Sequence, residues 1–267
     1  MLKLKNVSKI FNKGTVNENV ALSNINLEIY DGDFVSIIGS NGAGKSTLLN
    51  VIAGVFPLDE GSIELDDQDI TRLPEYERAS FIGRVFQDPL MGTAPSMTIE
   101  ENLSLALCRN KKRGLKWGLN DKLRKEFRVK LAELGLGLEN RMNTKVKLLS
   151  GGQRQAITLL IATMVKPKLL LLDEHTAALD PSTVRLINDL TEEIVLQKGI
   201  TTLMITHNME YAIKMGNRLI MMDGGKVVLD IRGADKALLT VDELVDMFEC
   251  AARKKFDDDR IMLGLTS

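Results

Sequence analysis

A glycine-rich segment that ends in Lys-Ser-Thr occupies residues 39–47, which read GSNGAGKST. It fits the pattern G-x-x-x-x-G-K-[ST] in full, and it lies between a strand-like apolar run at 34–38 and helical spacing at 48–52. Glycines in such a loop let successive N–H groups point at the β- and γ-phosphates of a nucleotide. Lys45 adds a positive charge, and the Ser46 hydroxyl can ligate Mg²⁺. The segment therefore predicts a phosphate-binding loop.

A second segment, LSGGQ at residues 149–153, combines a helix-capping pattern with two adjacent glycines. Ser150 is a good N-cap residue, and Gln153 follows three positions later, as in a capping box. Two glycines just inside a helix disfavour it by roughly 1 kcal/mol each, so something must need bare backbone there. Because a helix N-terminus binds anions, the segment predicts a second phosphate contact. An ordinary capped helix start is the alternative interpretation.

Four leucines followed by two carboxylates, at residues 169–174, predict a buried strand whose acidic residues emerge at its carboxyl end. Asp173 suits a contact with Mg²⁺, usually through water. Glu174 could polarise an attacking water molecule. Two solvated acids in a loop are the alternative interpretation.

Two further polar residues follow predicted strands. His207 comes directly after the strand at 201–206, where it could hydrogen-bond a γ-phosphate, although a lone histidine is more often structural. Gln87 ends the strand before Pro89 and could approach the metal and the water. Taken by itself, this glutamine is a weak signal.

Composition narrows the class of protein. The chain has 267 residues, of which 44% are hydrophobic, so it can bury a substantial core. A net charge of −1 and an aromatic content of 4% argue against a nucleic-acid partner. The two cysteines fit no metal pattern and favour a reducing cytosol. We expect no signal peptide, and the longest apolar stretch, 156–165, is too short to span a bilayer.

Hydrophobic patterning predicts an α/β fold. Residues 168–230 alternate buried strands with helices, which implies a parallel sheet with helices on both faces. Strand-like pieces at 1–30 and 61–66 predict a small antiparallel sheet next to the phosphate-loop core. Residues 97–165 are mainly helical in pattern and read as an inserted subdomain.

The order of these motifs resembles the nucleotide-binding subunit of ATP-binding cassette (ABC) transporters over about residues 1–230. LSGGQ matches the signature of that family in all five letters. The resemblance implies an α/β P-loop NTPase fold, with a parallel-sheet core, an antiparallel β edge subdomain and an inserted helical subdomain. It implies an ATPase domain at 1–230, its helical subdomain at about 88–165, and a C-terminal helical extension at 231–267.

The resemblance also implies the ligands and the site. ATP and Mg²⁺ are the expected ligands, and the metal contacts are Ser46, Gln87 and Asp173. Catalytic roles fall to Lys45, Glu174 and His207. The implied nucleotide-binding residues are Phe11, Gly39, Ser40, Asn41, Gly42, Ala43, Gly44, Lys45, Ser46 and Thr47.

Family members work as head-to-tail dimers, with ATP between the phosphate loop of one copy and the signature of the other. In this chain the signature residues that would act in trans are Ser150, Gly151, Gly152 and Gln153. Asp180 resembles the aspartate of the family's D-loop, and it is also a sensible N-cap before Pro181.

Two positions depart from the family pattern or fit it loosely. His175 stands where the family commonly has proline, next to the presumed base Glu174, so it could alter the pH profile or be a neutral variant. Phe11 stands where the family often has a tyrosine against adenine; it can stack, and it could equally be a core residue.

A basic segment stands apart from the nearly neutral whole. Residues 109–130 hold ten Lys or Arg and two acids, a local net charge of +8. This segment could contact acidic lipid headgroups or a membrane partner, or it could be a solvated helix face.

We therefore expect the energy-coupling ATPase of an ABC transporter, on the cytoplasmic face of the membrane, working with separate permease subunits. The stretch LDEHTAALD at 172–180 and the basic insert are similar to a bacterial importer group that pairs with lipoprotein binding proteins for amino acids, aromatic ones included. An importer of a small solute with an extracytoplasmic solute-binding protein is the first hypothesis. An exporter, or a soluble ABC-type ATPase acting on ribosomes or DNA, is the alternative.

Overall fold

The computed structural model describes residues 1–109 and 119–250 of the chain. Its strands are β1 (Leu2–Phe11), β2 (Asn19–Ile29), β3 (Phe34–Gly39), β4 (Glu60–Leu65), β5 (Gln68–Asp69), β6 (Ile82–Val85), β7 (Leu169–Asp173), β8 (Thr201–Ile205), β9 (Arg218–Asp223) and β10 (Lys226–Arg232). Its helices are α1 (Lys45–Ala53), α2 (Glu75–Arg78), α3 (Ile99–Leu107), α4 (Asp121–Ala132), α5 (Gly151–Met164), α6 (Pro181–Lys198), α7 (Met209–Lys214) and α8 (Gly233–Ala237), and residues 241–250 are also helical.

The chain forms two compact units. The first unit joins Met1–Leu73 to the described residues from Met204 onward, and the second unit is Pro74–Leu203. Helices α3, α4 and α5 lie within the stretch that the sequence assigned to a helical subdomain, about 88–165. The domain boundaries drawn from the sequence stay a prediction.

The first unit contains an antiparallel sheet with the strand order β2-β1-β4-β5. In its register Leu4 of β1 faces Leu27 of β2 and Ile63 of β4, and all three side chains are buried. Apolar and polar residues alternate along β1 because one face of the sheet packs on the core. This is the antiparallel sheet that the sequence predicted.

The phosphate-loop strand also lies in the first unit. Strand β3 pairs in parallel with β9, and β9 pairs antiparallel with β10. Residues 34–38 of β3 are all buried, as expected for a strand covered on both faces. The β9–β10 turn reaches the phosphate loop, because the Gly225 N–H donates to the Ala43 carbonyl at 3.1 Å.

In the second unit β6 and β7 pair in parallel, with Val85 opposite Leu172. Their carboxyl ends therefore meet at one edge, where α/β sheets place their ligands. Helix α5 packs against α3 and α6, and α4 is joined to α3 by a two-bond ion pair between Arg124 and Glu100 at 3.0 and 3.3 Å. No helix in the described part of the chain is long and apolar enough to cross a membrane.

Candidate nucleotide site

Lys45 is buried and stabilises the bend of the phosphate loop by hydrogen bonds to its backbone. Its side chain is 5% exposed, and Nζ donates to the Gly39 carbonyl at 2.8 Å and to the Ser40 carbonyl at 2.9 Å. Helix α1 begins at Lys45, and its N-cap, Gly44, supplies no side-chain cap to the first-turn N–H groups. An N-terminus capped in this way leaves backbone donors and the positive end of the helix dipole for an anion.

Two glycines of the loop pack so closely on neighbouring backbone that no side chain fits at their positions. A Cβ on Gly39 would lie 2.1 Å from the Met222 carbonyl oxygen, and one on Gly44 would lie 2.4 Å from the Ala21 carbonyl oxygen. Both residues also have positive φ, 148° and 95°. Gly42 has φ 80°, but its Cβ would meet open space. The sequence argument assigned the glycines to phosphate approach alone and missed this packing role.

Phe11 is half-buried and held by two neighbours that sequence reasoning did not find. The Phe56 ring lies edge-on to it, with centroids 5.2 Å apart, and Lys9 Nζ is 5.5 Å from the Phe11 centroid. Lys9 in turn pairs with Asp59 at 3.2 Å. The Ile10 N–H, donated at 2.6 Å, is the main reason that the pKa of Asp59 is lowered. Phe11 is thus a supported, partly exposed ring at the end of β1.

The first unit brings His207 to the same sheet edge as the phosphate loop. The Thr206 N–H donates to the Ile37 carbonyl at 3.2 Å, which aligns the end of β8 with β3 two residues before Gly39. His207 follows directly and is exposed. Within this unit the predicted histidine therefore emerges next to the strand that leads into the loop.

In the second unit Gln87, Asp173 and Glu174 lie at the carboxyl ends of β6 and β7, as predicted from the strand patterns. The Arg84 guanidinium stands 4.0 Å from the Asp173 carboxylate, and burial lowers the pKa of Arg84. Glu174 has φ 46°, a left-handed conformation that is uncommon for any residue other than glycine. Such strain is of order 1–3 kcal/mol and concentrates at functional sites.

His175 faces the protein interior. The side chain is 3% exposed, and burial lowers its pKa to about 4, so the imidazole is neutral at pH 7. Thr191 Oγ1 donates to the Ile187 carbonyl at 2.7 Å, so the His175 Nε2–H donates to Oγ1 at 3.2 Å. This geometry favours the neutral-variant interpretation over a direct effect on the base.

The signature segment begins α5 with the capping box that its sequence predicted. Gln153 N–H donates to Ser150 Oγ, and Ser150 N–H donates to Gln153 Oε1, both at 3.3 Å. Asp180 caps α6 by accepting the Thr183 N–H at 3.1 Å. Hydrogen bonds from the Ser182 and Thr183 hydroxyls and from that N–H hold the pKa of Asp180 well below its usual range.

A cavity of about 200 Å³ in the second unit is bounded by the three segments that carry Gln87, Gly151 and Leu179. Its lining includes Gln155, which is 1% exposed and whose amide oxygen and nitrogen have no hydrogen-bond partner among the described residues. Sequence reasoning missed Gln155, since its helical position alone does not show whether a partner is present.

Part of the basic segment can now be placed. Arg109 donates to the Ala79 and Ile82 carbonyls, and Arg124 pairs with Glu100, so these two cations are used within the chain. Lys111, Lys112, Arg113, Lys116 and Trp117 lie outside the described residues.

Comparison with known proteins identifies the class. A family model described as "ABC transporter" matches residues 22–177. A tyrosine transport ATP-binding protein of Clostridioides difficile (strain R20291) is 49% identical over 251 residues, covering 94% of this chain and 100% of the relative. A methionine import ATP-binding protein, MetN, of Clostridium tetani (strain Massachusetts / E88) is 36% identical over 230 residues, covering 85% of this chain and 68% of the relative.

Among solved structures, the dimeric ATP-binding cassette MJ0796 in a post-hydrolysis state with ADP and Pi superposes with a TM-score of 0.74. It is 34% identical and covers 87% of this chain and 98% of that one. The chain belongs to the ABC transporter family. The predicted α/β fold and the predicted class, an ABC ATPase, are confirmed.

The glycines of the loop give a first prediction. Gly39→Ala should destabilise the protein by about 1–3 kcal/mol more than Gly42→Ala, because only the first creates a clash with a backbone carbonyl, whereas both add positive-φ strain. Thermal unfolding of the two variants measures the difference. Equal losses of Tm would contradict the packing role of Gly39.

The Gln155 amide gives a second prediction. Gln155→Met should leave Tm unchanged or raise it, because a buried amide without partners destabilises the fold by about 1–3 kcal/mol. Thr158→Val on the same helix is the control: it removes hydroxyl bonds to Arg154 and Pro89 carbonyls, at 2.9 and 3.3 Å, and should lower Tm. A lower Tm for Gln155→Met would mean that water satisfies the amide.

Proposed function

We propose that this chain is the ATP-hydrolysing subunit of an ABC importer for an amino acid, with tyrosine as the first candidate. The observation that carries the proposal is the phosphate loop, whose lysine donates to two carbonyls of the loop and whose Gly39 and Gly44 admit no side chain. The 49% identity to a tyrosine transport ATP-binding protein over its whole length supports the solute, and the methionine import relative supports the direction.

The assembly that we propose has three kinds of subunit. Two copies of this chain work with transmembrane permease subunits on the cytoplasmic side of the membrane, and an extracytoplasmic solute-binding protein delivers the amino acid. The dimeric structure at 34% identity supports the pairing of two copies. The transport and import ATP-binding proteins among the relatives support the permease.

The residues fit ATP and Mg²⁺. Backbone donors at the start of α1 suit phosphate oxygens, and Ser46 is exposed on the first turn of that helix. We assign Mg²⁺ to oxygen atoms of Ser46, Gln87 and Asp173, the ligand type that this ion prefers. When bound, the metal would neutralise charge on the β- and γ-phosphates.

The remaining side chains bind, orient and move protons. Lys45 and the loop amides stabilise negative charge that develops on the γ-phosphate, and Phe11 stacks on the base. Glu174 orients the attacking water and accepts its proton, while the exposed His207 donates a hydrogen bond to a phosphate oxygen. The Ser150 segment of the second copy presents the N-terminus of α5 to the same phosphate.

Glu174 gives a third prediction. Glu174→Gln should lower kcat by about 10²–10⁴-fold, because the amide cannot accept the proton, while ATP still binds and still brings two copies together. Steady-state ATPase assays and light scattering with ATP measure both effects. Glu193→Gln, an exposed carboxylate on α6, should match the wild type. Wild-type turnover by Glu174→Gln would remove Glu174 from the mechanism.

The solute gives a fourth prediction. Co-expression with the proposed permease subunits, followed by reconstitution into vesicles with the proposed binding protein, should give ATP-dependent accumulation of radiolabelled tyrosine. Competition by unlabelled tyrosine, but not by methionine or spermidine, is the expected selectivity. Accumulation of a different amino acid would correct the solute, and outward movement would overturn the import direction.

A further inference from the structure

The signature glycines touch a neighbouring segment of their own chain. A Cβ on Gly152 would lie 2.3 Å from Cγ2 of Thr183, and a Cβ on Gly151 would lie 3.2 Å from Cδ2 of Leu179. Contacts below 3.0 Å force an atom to move. The bare backbone at the start of α5 therefore lies directly against the methyl group of Thr183 at the start of α6.

The Thr183 methyl group cannot easily move away. Its own hydroxyl donates to Asp180 Oδ2 at 2.6 Å, and its N–H donates to Asp180 Oδ1 at 3.1 Å. A threonine side chain has one torsion, χ1, so these bonds also fix the direction of Cγ2. The hydrogen bond from the Ser182 hydroxyl and the two from Thr183 lower the pKa of Asp180, so its carboxylate stays ionised.

A second face of α5, at Thr158, is also constrained. The Thr158 hydroxyl lies within hydrogen-bond distance of two carbonyl oxygens, that of Arg154 at 2.9 Å and that of Pro89 at 3.3 Å. A Cβ on Gly92 would lie 2.5 Å from Thr158 Cγ2, so the chain after Gln87 packs tightly there. These close contacts limit how far α5 can shift as a whole when a side chain is added at position 152.

We propose that Thr183 is a positioning residue for the signature: its methyl group, oriented by Asp180, sets where the first N–H groups of α5 lie. Gly152 is then needed for packing within one chain, apart from any need to approach a nucleotide. This inference rests on the proposed role of the signature in ATP hydrolysis by a dimer. Thr183 itself does not need to touch the nucleotide for this effect.

The test compares Gly152→Ala with the double variant Gly152→Ala/Thr183→Ser, which removes the methyl group and keeps the hydroxyl that bonds Asp180. Gly152→Ala should lower kcat by about tenfold or more, with the Kd for ATP unchanged, because the donors are displaced from the phosphate. The double variant should recover most of kcat and of Tm. Thr183→Ser should not rescue Gly151→Ala, whose contact is Leu179.

A second variant covers the case in which Gly152→Ala fails to fold. Thr183→Val keeps a methyl group and loses the hydroxyl bond that orients it, so kcat should fall. Thr183→Ser alone keeps the hydroxyl bond and loses the positioning methyl group, so kcat should fall as well. In the double variant the methyl group added by Gly152→Ala takes up the space left by the lost one, so kcat should recover. A folded double variant that is as inactive as Gly152→Ala would overturn the proposal, and so would wild-type kcat in Thr183→Val.

A separate measurement detects failure of the dimer mechanism itself. The specific ATPase activity of the wild type should fall as the chain is diluted, because two copies must meet. Specific activity that stays constant down to nanomolar chain would reject the dimer mechanism, whatever the Gly152 and Thr183 variants do. Concentration-dependent wild-type activity without rescue would reject only the positioning role of Thr183.

Discussion

Close approach of bare backbone is the constraint on which the site depends. At Gly39 a side chain would run into the Met222 carbonyl, and at Gly152 it would run into the Thr183 methyl group. In the proposed function, backbone N–H groups in both places face an anion while the other side of the same backbone packs on the protein. Glycine permits outward N–H groups and close packing at the same position, because it has no Cβ. Lys45 also stabilises the bent phosphate loop, because its Nζ donates hydrogen bonds to two carbonyl oxygens of the loop.

The carboxyl end of β7 also needs an unusual backbone conformation, but there the residue is Glu174 and not a glycine. Glu174 has a positive φ although it is not glycine, and the turn that follows is closed by the Ala177 N–H bonding the Glu174 carbonyl at 3.0 Å. The next residue, His175, is buried and bonded to Thr191, which anchors the chain directly after the strained position. A buried, neutral anchor beside a partly exposed carboxylate can hold strain that a flexible loop would release.

Local signals in the sequence predicted local structure well. The capping box at Ser150 and Gln153, the N-cap at Asp180 and the buried strand before Asp173 were all predicted, because each depends on residues within a few positions of one another. The partners of Phe11 were not predicted. Phe56 is 45 positions away along the chain and meets Phe11 only through packing, so no spacing rule points to it.

The sequence by itself determined the motifs, their order and the class of protein, since short phosphate-binding and capping patterns carry their chemistry in the spacing of neighbouring residues. Only the tertiary structure decided which glycines are needed for packing, that His175 is buried, and that the Gln155 amide lacks a partner among the described residues. These facts depend on atoms from segments far apart in the chain. The distances between these atoms depend on how the helices and strands pack, which a local sequence pattern does not predict.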